Sequence, residues 1–143
     1  MYDVAAMTKT ARDAPGYVVA RLILELTKTA ADAFLRAQYS TSACDDLLLC
    51  AAVYIGQCEG HKLAASKVAE CIGMPRATVM RKLSHLQALG LIDVDERRRW
   101  GIATGSQDVS ERIRLSISEL QPLIHKAARE LSRMDSDGIA AKR

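Results

Sequence analysis

The sequence predicts a mainly α protein with one small β-hairpin, flanked by long terminal helices. Three observations support this. Aromatic residues are scarce, at 4%, while alanine and leucine abound, which suits helix packing better than sheet. Between Leu63 and Gly101 the chain divides into two short helical patterns parted by Gly73 and Pro75, followed by an alternating segment. On either side, over 15–39 and 108–134, apolar residues recur at helical spacing for several turns.

Taken in order, residues 1–13 are small, polar and mixed in charge, and are expected to be loose. Pro15 starts a helix over 15–39. Val19, Leu22, Ile23, Leu26, Ala30, Ala33, Phe34 and Ala37 share one face of it, with Leu24, Ala31 and Leu35 on a second. A helix apolar on two sides needs two partners, its own domain and another subunit; the alternative is burial within a monomer. Ser42 and Asp45 have capping-box spacing and open a helix over 45–58. The run 47–53 is unbroken apolar, so this helix is expected to be covered all round. Leu63, Ala64 and Ala65 form a short strand candidate that pairs with the hairpin.

The central stretch is the most specific. Ser66 caps a helix over 67–72, and Gly73 supplies the left-handed conformation that ends it. Pro75 opens a second helix over 75–89. Val79, Leu83 and Leu86 form its apolar stripe, while Arg76, Thr78, Arg81, Lys82 and His85 occupy the other side. Gly90 closes it. A small residue at Ala69, a glycine at Gly73 and an apolar residue at Val79 meet the demands of a helix-turn-helix: close crossing, a turn, and a pin for the second helix. Then Leu91 to Asp95 alternates apolar and acidic like a half-buried strand, and Trp100, Gly101 and Ile102 return antiparallel around a tip at 96–99. A helix-turn-helix followed by a basic hairpin is a winged helix-turn-helix.

Thr104 to Gln107 is a turn, and Asp108 with Glu111 forms a second capping box. The helix that follows carries Val109, Ile113, Ile117, Leu120, Ile124, Ala127 and Leu131 at helical spacing. Pro122 predicts a kink or break near 119–121, and the polar tail from 134 is expected to fray. The 143 residues suit one domain, with 42–104 as its core and 15–39 and 108–134 as dimerisation helices. No apolar run approaches the roughly 18 residues of a membrane span, and the start lacks a basic, then hydrophobic, leader. A cytoplasmic location is expected.

Charge is distributed unevenly. Residues 61–100 hold eight basic side chains against four acidic ones, a net +4, while the rest holds 12 against 13. The entire positive excess of +3 therefore falls on the helix-turn-helix and hairpin, the footprint of a nucleic-acid binder. Cys44, Cys50, Cys58 and Cys71 form no C-x-x-C pair and match no zinc spacing, so they are read as buried free thiols, with no metal and no cofactor expected. His85 and His125 are read as exposed helix residues. Neither a G-x-S-x-G, nor a phosphate-cradling glycine loop, nor an i, i+4 histidine pair is present, which argues against an enzyme.

The segment SKVAECIGMPRATVMRKLSHLQALGLI, Ser66 to Ile92, resembles the DNA-binding core of bacterial winged-helix regulators. Within these the chain is most similar to the MarR family of transcriptional regulators, whose D-x-R wing signature is matched by Asp95, Glu96, Arg97 and Arg98. The hairpin is several residues shorter than that family's usual wing, and Lys82 stands where many helix-turn-helices carry an apolar residue. The resemblance implies a homodimeric, sequence-specific DNA-binding regulator with a small-molecule effector pocket between the terminal helices and the winged core. Ser66, Lys67, Arg76, Thr78, Met80, Arg81, Lys82, His85, Arg97, Arg98 and Arg99 are the residues expected to touch DNA, with Arg76 and Arg81 suited to guanine. Leu22, Ile23, Leu26, Phe34, Ile117, Leu120 and Ile124 are the expected dimerisation residues. Two other functions suit the same fold: a protein–protein interaction module in a larger assembly, and a phage or plasmid DNA-binding initiator.

Overall fold

The computed structural model describes residues 14–141; the expectation for residues 1–13, and the last two residues of the tail, lie outside them. The described chain is mainly helical with a small three-stranded antiparallel sheet, as expected. Helix α1, Pro15–Ala30, begins on its proline and widens into a π-helical turn, Ala31–Leu35. Arg36 then turns left-handed at φ +52°, so the helix ends four residues short of the expected Tyr39. The π turn buries Ala31, Ala33 and Phe34.

Helix α2, Thr41–Cys58, is capped by Ser40, whose Oγ accepts the N–H of Ala43 at 3.1 Å. This corrects the capping box expected at Ser42 and Asp45: the cap lies two residues earlier, and Ser42 is left for another partner. Leu49, Cys50 and Val53 are buried, but Leu48 and Ile55 are each 55% exposed. The helix is therefore not covered all round.

Strand β1, Leu63–Ala64, leads directly into α3, Ala65–Ile72. Ser66 does not cap α3; it lies exposed inside its first turn, and the cap position is Ala64. Gly73 takes φ +67°, and the N–H of Met74 reaches back to the carbonyl of Ala69 at 3.1 Å. Pro75 is the cap rather than the first residue of α4, Arg76–Ala88. Helix α4 ends where Gly90, at φ +77°, donates to Gln87 and the N–H of Leu91 donates to Leu86. Leu91 and Leu86 are both buried there, the apolar contact that accompanies such an ending.

Strands β2, Ile92–Val94, and β3, Arg99–Ile102, form the expected hairpin, and β1 pairs with the other edge of β3. Trp100 thus faces Val94 on one side and Leu63 on the other. Gln57, from the last turn of α2, clamps β3: its Oε1 accepts the N–H of Ile102 at 2.7 Å, and its Nε2 donates to Thr104 Oγ1 at 3.3 Å. A Cβ on Gly101 would meet this oxygen at 3.0 Å and Lys62 Cε at 2.9 Å, which explains the glycine.

Helix α5, Gln107–Ala141, is preceded by Ser106, whose Oγ accepts the N–H of Val109 at 3.4 Å. The cap is therefore not Asp108, which instead pairs with Arg112 at 3.1 Å and Arg36 at 3.2 Å. The helix passes through Pro122 without a break and continues beyond the expected frayed end at 134. Pro122 and Ser118, whose carbonyl it leaves without a donor, both lie on the exposed side of the helix. The core joins α2, α3, α4, the sheet and the start of α5 through Leu49, Val53, Val68, Val79, Leu83, Leu86, Ile92, Trp100 and Val109. Helix α1 lies antiparallel along α5, with Val18 and Leu22 near Leu123 and Ala127, and Ala30 and Phe34 near Ile113 and Leu120. Arg112 fastens the pair by donating to the Phe34 carbonyl at 2.9 Å. Among the described residues no helix is long and apolar enough to cross a membrane.

Candidate nucleic-acid interface

Helix α4 has two working sides. Val79, Leu83 and Leu86 are buried to 1% exposure or less, which fixes how deeply the helix sits on the core. Arg76, Met80 and Ser84, spaced i, i+4, i+8, stand together on one flank and line a cleft of about 360 Å³. Ser66 from α3 and Arg97 and Arg98 from the hairpin tip line its other walls, with Trp100 and Val94 from the sheet. Three guanidinium groups and two hydroxyls converge there, and no carboxylate lines the cleft. Ser84 and Trp100 were missed as site residues, although the spacing of Ser84 from Arg76 and Met80 was sufficient to find it.

The other residues expected to touch DNA are distributed around this cleft. Arg81 is exposed on the outer face of α4, His85 is exposed but borders a groove with Ser40, Ser42 and Asp46 at the start of α2, and Thr78 is half-buried. Lys67, on α3, is exposed and paired with Glu70 at 3.2 Å. Arg99 is exposed at the start of β3, outside the cleft lining. Lys82 lies apart from the group altogether. It is 9% exposed, and its Nζ meets Asp46 Oδ1 at 3.2 Å and Ser42 Oγ at 3.3 Å. It faces α2 and not the outer surface, so one of the eight basic groups in 61–100 is neutralised from outside that segment.

The hairpin tip is held by Asp95. Its Oδ1 accepts the N–H groups of Arg97 and Arg99, both at 2.9 Å, and its own N–H donates to the Arg99 carbonyl at 2.9 Å. The Arg99 N–H bond is the foremost cause holding this carboxyl below the usual carboxylate range, with Arg97, Lys62 and the Arg99 charge adding to it. The acid thus fixes the backbone that carries the arginines. Arg98, at φ +59°, turns the tip in a conformation unusual for a residue with a side chain.

A second cavity, about 300 Å³ and almost wholly apolar, lies between α1, α2 and α5, where Phe34, Leu47, Ala51, Tyr54, Ile113 and Leu120 face one another. Of the expected dimerisation residues, Ile23, Ile117 and Ile124 are 61%, 58% and 50% exposed, and Leu22, Leu26 and Leu120 are half-buried. Phe34 is buried at 9% exposure and belongs to the core, so it is not available as a dimerisation residue. Leu48, Tyr54 and Ile55 on α2 add exposed apolar area where the unbroken apolar run suggested interior.

The cysteines differ from expectation too. Only Cys50 is buried, and burial, with the Asp46 charge as a lesser cause, pushes its thiol up to about 12. Cys58 and Cys71 are exposed and Cys44 is half-buried. No group of three His, Cys, Asp or Glu among the described residues could hold a metal ion. Compared with protein-family models, with curated proteins and with solved structures, the chain matches none of them.

Proposed function

We propose that the protein is a homodimeric, sequence-specific DNA-binding transcriptional regulator of the winged helix-turn-helix type, resembling the MarR family and acting in the cytoplasm. The observation that carries this reading is the acid-free cleft where Arg76 of α4 meets Arg97 and Arg98 of the hairpin. In this reading α4 enters a major groove, with Arg76 and Arg81 addressing base edges, and the hairpin arginines lie on backbone or an adjacent minor groove. The exposure of Ile117 and Ile124, seven residues apart on α5, and of Ile23 on α1 supports pairing of two copies through their terminal helices. The apolar cavity beside it fits an uncharged small-molecule effector.

Selection from a pool of random duplexes tests the proposal. It should enrich a near-palindrome whose half-sites lie about one helical turn, roughly 34 Å, apart. Arg76→Ala or Arg81→Ala should then cost about 1–3 kcal/mol on the enriched site and relax one or two base positions. Arg97→Ala or Arg98→Ala should weaken all duplexes alike and lower the salt slope by about 0.9 for each phosphate no longer neutralised. Failure to enrich any sequence overturns the reading. Leu48 and Ile55, seven residues apart on one face of α2 and each 55% exposed, favour the alternative, a protein–protein interaction module, which that failure would leave standing. A phage or plasmid initiator would use the same DNA-binding residues.

A further inference from the structure

We propose that Lys82 is a positioning residue for the DNA-reading helix, fixing the roll of α4 through its buried ion pair with Asp46. The proposal rests on the DNA-binding reading above. Lys82 is the only buried charged residue among those described, and its partner lies 36 positions away on α2. The side chains of the pair are 11% and 14% exposed, and Ser42 Oγ satisfies a second ammonium proton. Ser42 is free to do so because Ser40, not Ser42, caps α2.

Stability alone gives little reason for a lysine here. Methionine or leucine would fill the space without the desolvation that a buried ion pair suffers, and such replacements are often neutral or stabilising. A buried pair does supply one thing apolar packing does not, a single angular solution. Val79, Leu83 and Leu86 set the depth of α4, but a 13-residue helix resting on one stripe can still roll. Among the described residues, Lys82 makes the only side-chain hydrogen bonds from α4 to the rest of the protein. It does so from the flank opposite Arg76, Met80 and Ser84. Side-chain heads stand about 5–6 Å from a helix axis, so a roll of about 20° moves them by about 2 Å. A bidentate contact with a base tolerates about 0.5 Å. Releasing the lock therefore blurs sequence reading while leaving attraction to phosphate intact.

The test is the double variant Lys82→Met with Asp46→Leu, which leaves no charge unpaired. Duplex affinities are measured on the enriched and on a scrambled sequence, beside a thermal melt. The expected result is an unlowered melting temperature, unchanged binding to scrambled duplex, and a loss of about tenfold or more on the enriched one. If the folded double variant keeps the parent's selectivity, Lys82 is only structural and the positioning proposal falls while the DNA reading stands. If the parent itself prefers no duplex, both fall. Should the double variant not fold, Asp46→Asn decides, because it keeps an oxygen for Lys82. A selectivity lowered about threefold supports the lock; unaltered selectivity overturns it.

Discussion

Replacing Gln57 with leucine should loosen the sheet from α2 by an amount the structure defines. Gln57 Oε1 accepts the N–H of Ile102 at 2.7 Å, and Ile102 is only 3% exposed. Leucine has similar bulk and no acceptor, so it leaves a buried donor unsatisfied at a cost of about 1–3 kcal/mol. The exposed bond from Nε2 to Thr104 adds little. Unfolding entropy of about 2.1 cal/mol/K per residue gives near 0.3 kcal/mol/K for a chain of this length, so Tm should fall by about 3–10 °C. Gln57→Glu keeps the acceptor and loses the donor, and its Tm should move by less than about 3 °C. Thermal unfolding followed by far-ultraviolet circular dichroism measures both, and the emission of Trp100, the sole tryptophan, reports on β3 directly. A leucine variant melting within about 1 °C of the parent would refute the argument, as would a glutamate variant that falls equally far.

Other expectations concern assembly, pH and thiol chemistry. The chain should sediment as a dimer of twice 15.6 kDa, and Ile23→Glu with Ile124→Glu should sediment as a monomer of unchanged helix content; a monomeric parent ends the dimer reading. Asp95 titrates lower in the folded hairpin than in the unfolded chain, so its contribution is complete above about pH 3.9 and is lost as pH falls through the lower folded-state value. Trp100 emission should follow that transition in the parent and lose it in Asp95→Asn; the same transition in both would remove Asp95 from the account. Mass spectrometry after brief iodoacetamide treatment at mildly alkaline pH should find Cys58 and Cys71 labelled and Cys50 intact, and early labelling of Cys50 would contradict its burial.

Features set by local chemistry were legible in the sequence. Gly73 and Gly90 end helices because few other residues accept a left-handed turn there, and both turns are found. Val79, Leu83 and Leu86 are spaced for one buried stripe, and the alternation of Ile92, Asp93 and Val94 is found in β2 as buried, exposed and half-buried positions. What escaped depends on residues distant in the chain. Ser40 and Ser42 are both cap residues by type, and only the folded backbone shows that Ser40 takes the cap while Ser42 engages Lys82. Lys82 looked like part of a basic face because Asp46 is 36 positions away. Phe34 was grouped with exposed Ile23 as a dimerisation residue, but it also continues the i, i+4 row of Leu22, Leu26 and Ala30 toward α5 and lies in the core. The cleft was half-legible: its arginines were named, but their meeting with Ser84 and Trp100 depends on how the hairpin folds over α4.

Arg98 sets durability against affinity. Its left-handed backbone, at φ +59°, is one that glycine adopts freely and that costs a side-chain-bearing residue about 1–2 kcal/mol. A directed-evolution screen for heat resistance would enrich glycine at this position, because that exchange relieves the strain. The same exchange deletes one of the three guanidinium groups lining the cleft. If the proposed DNA binding holds, a screen for retention on duplex DNA would keep the arginine, and the two regimes would pull this one codon in opposite directions.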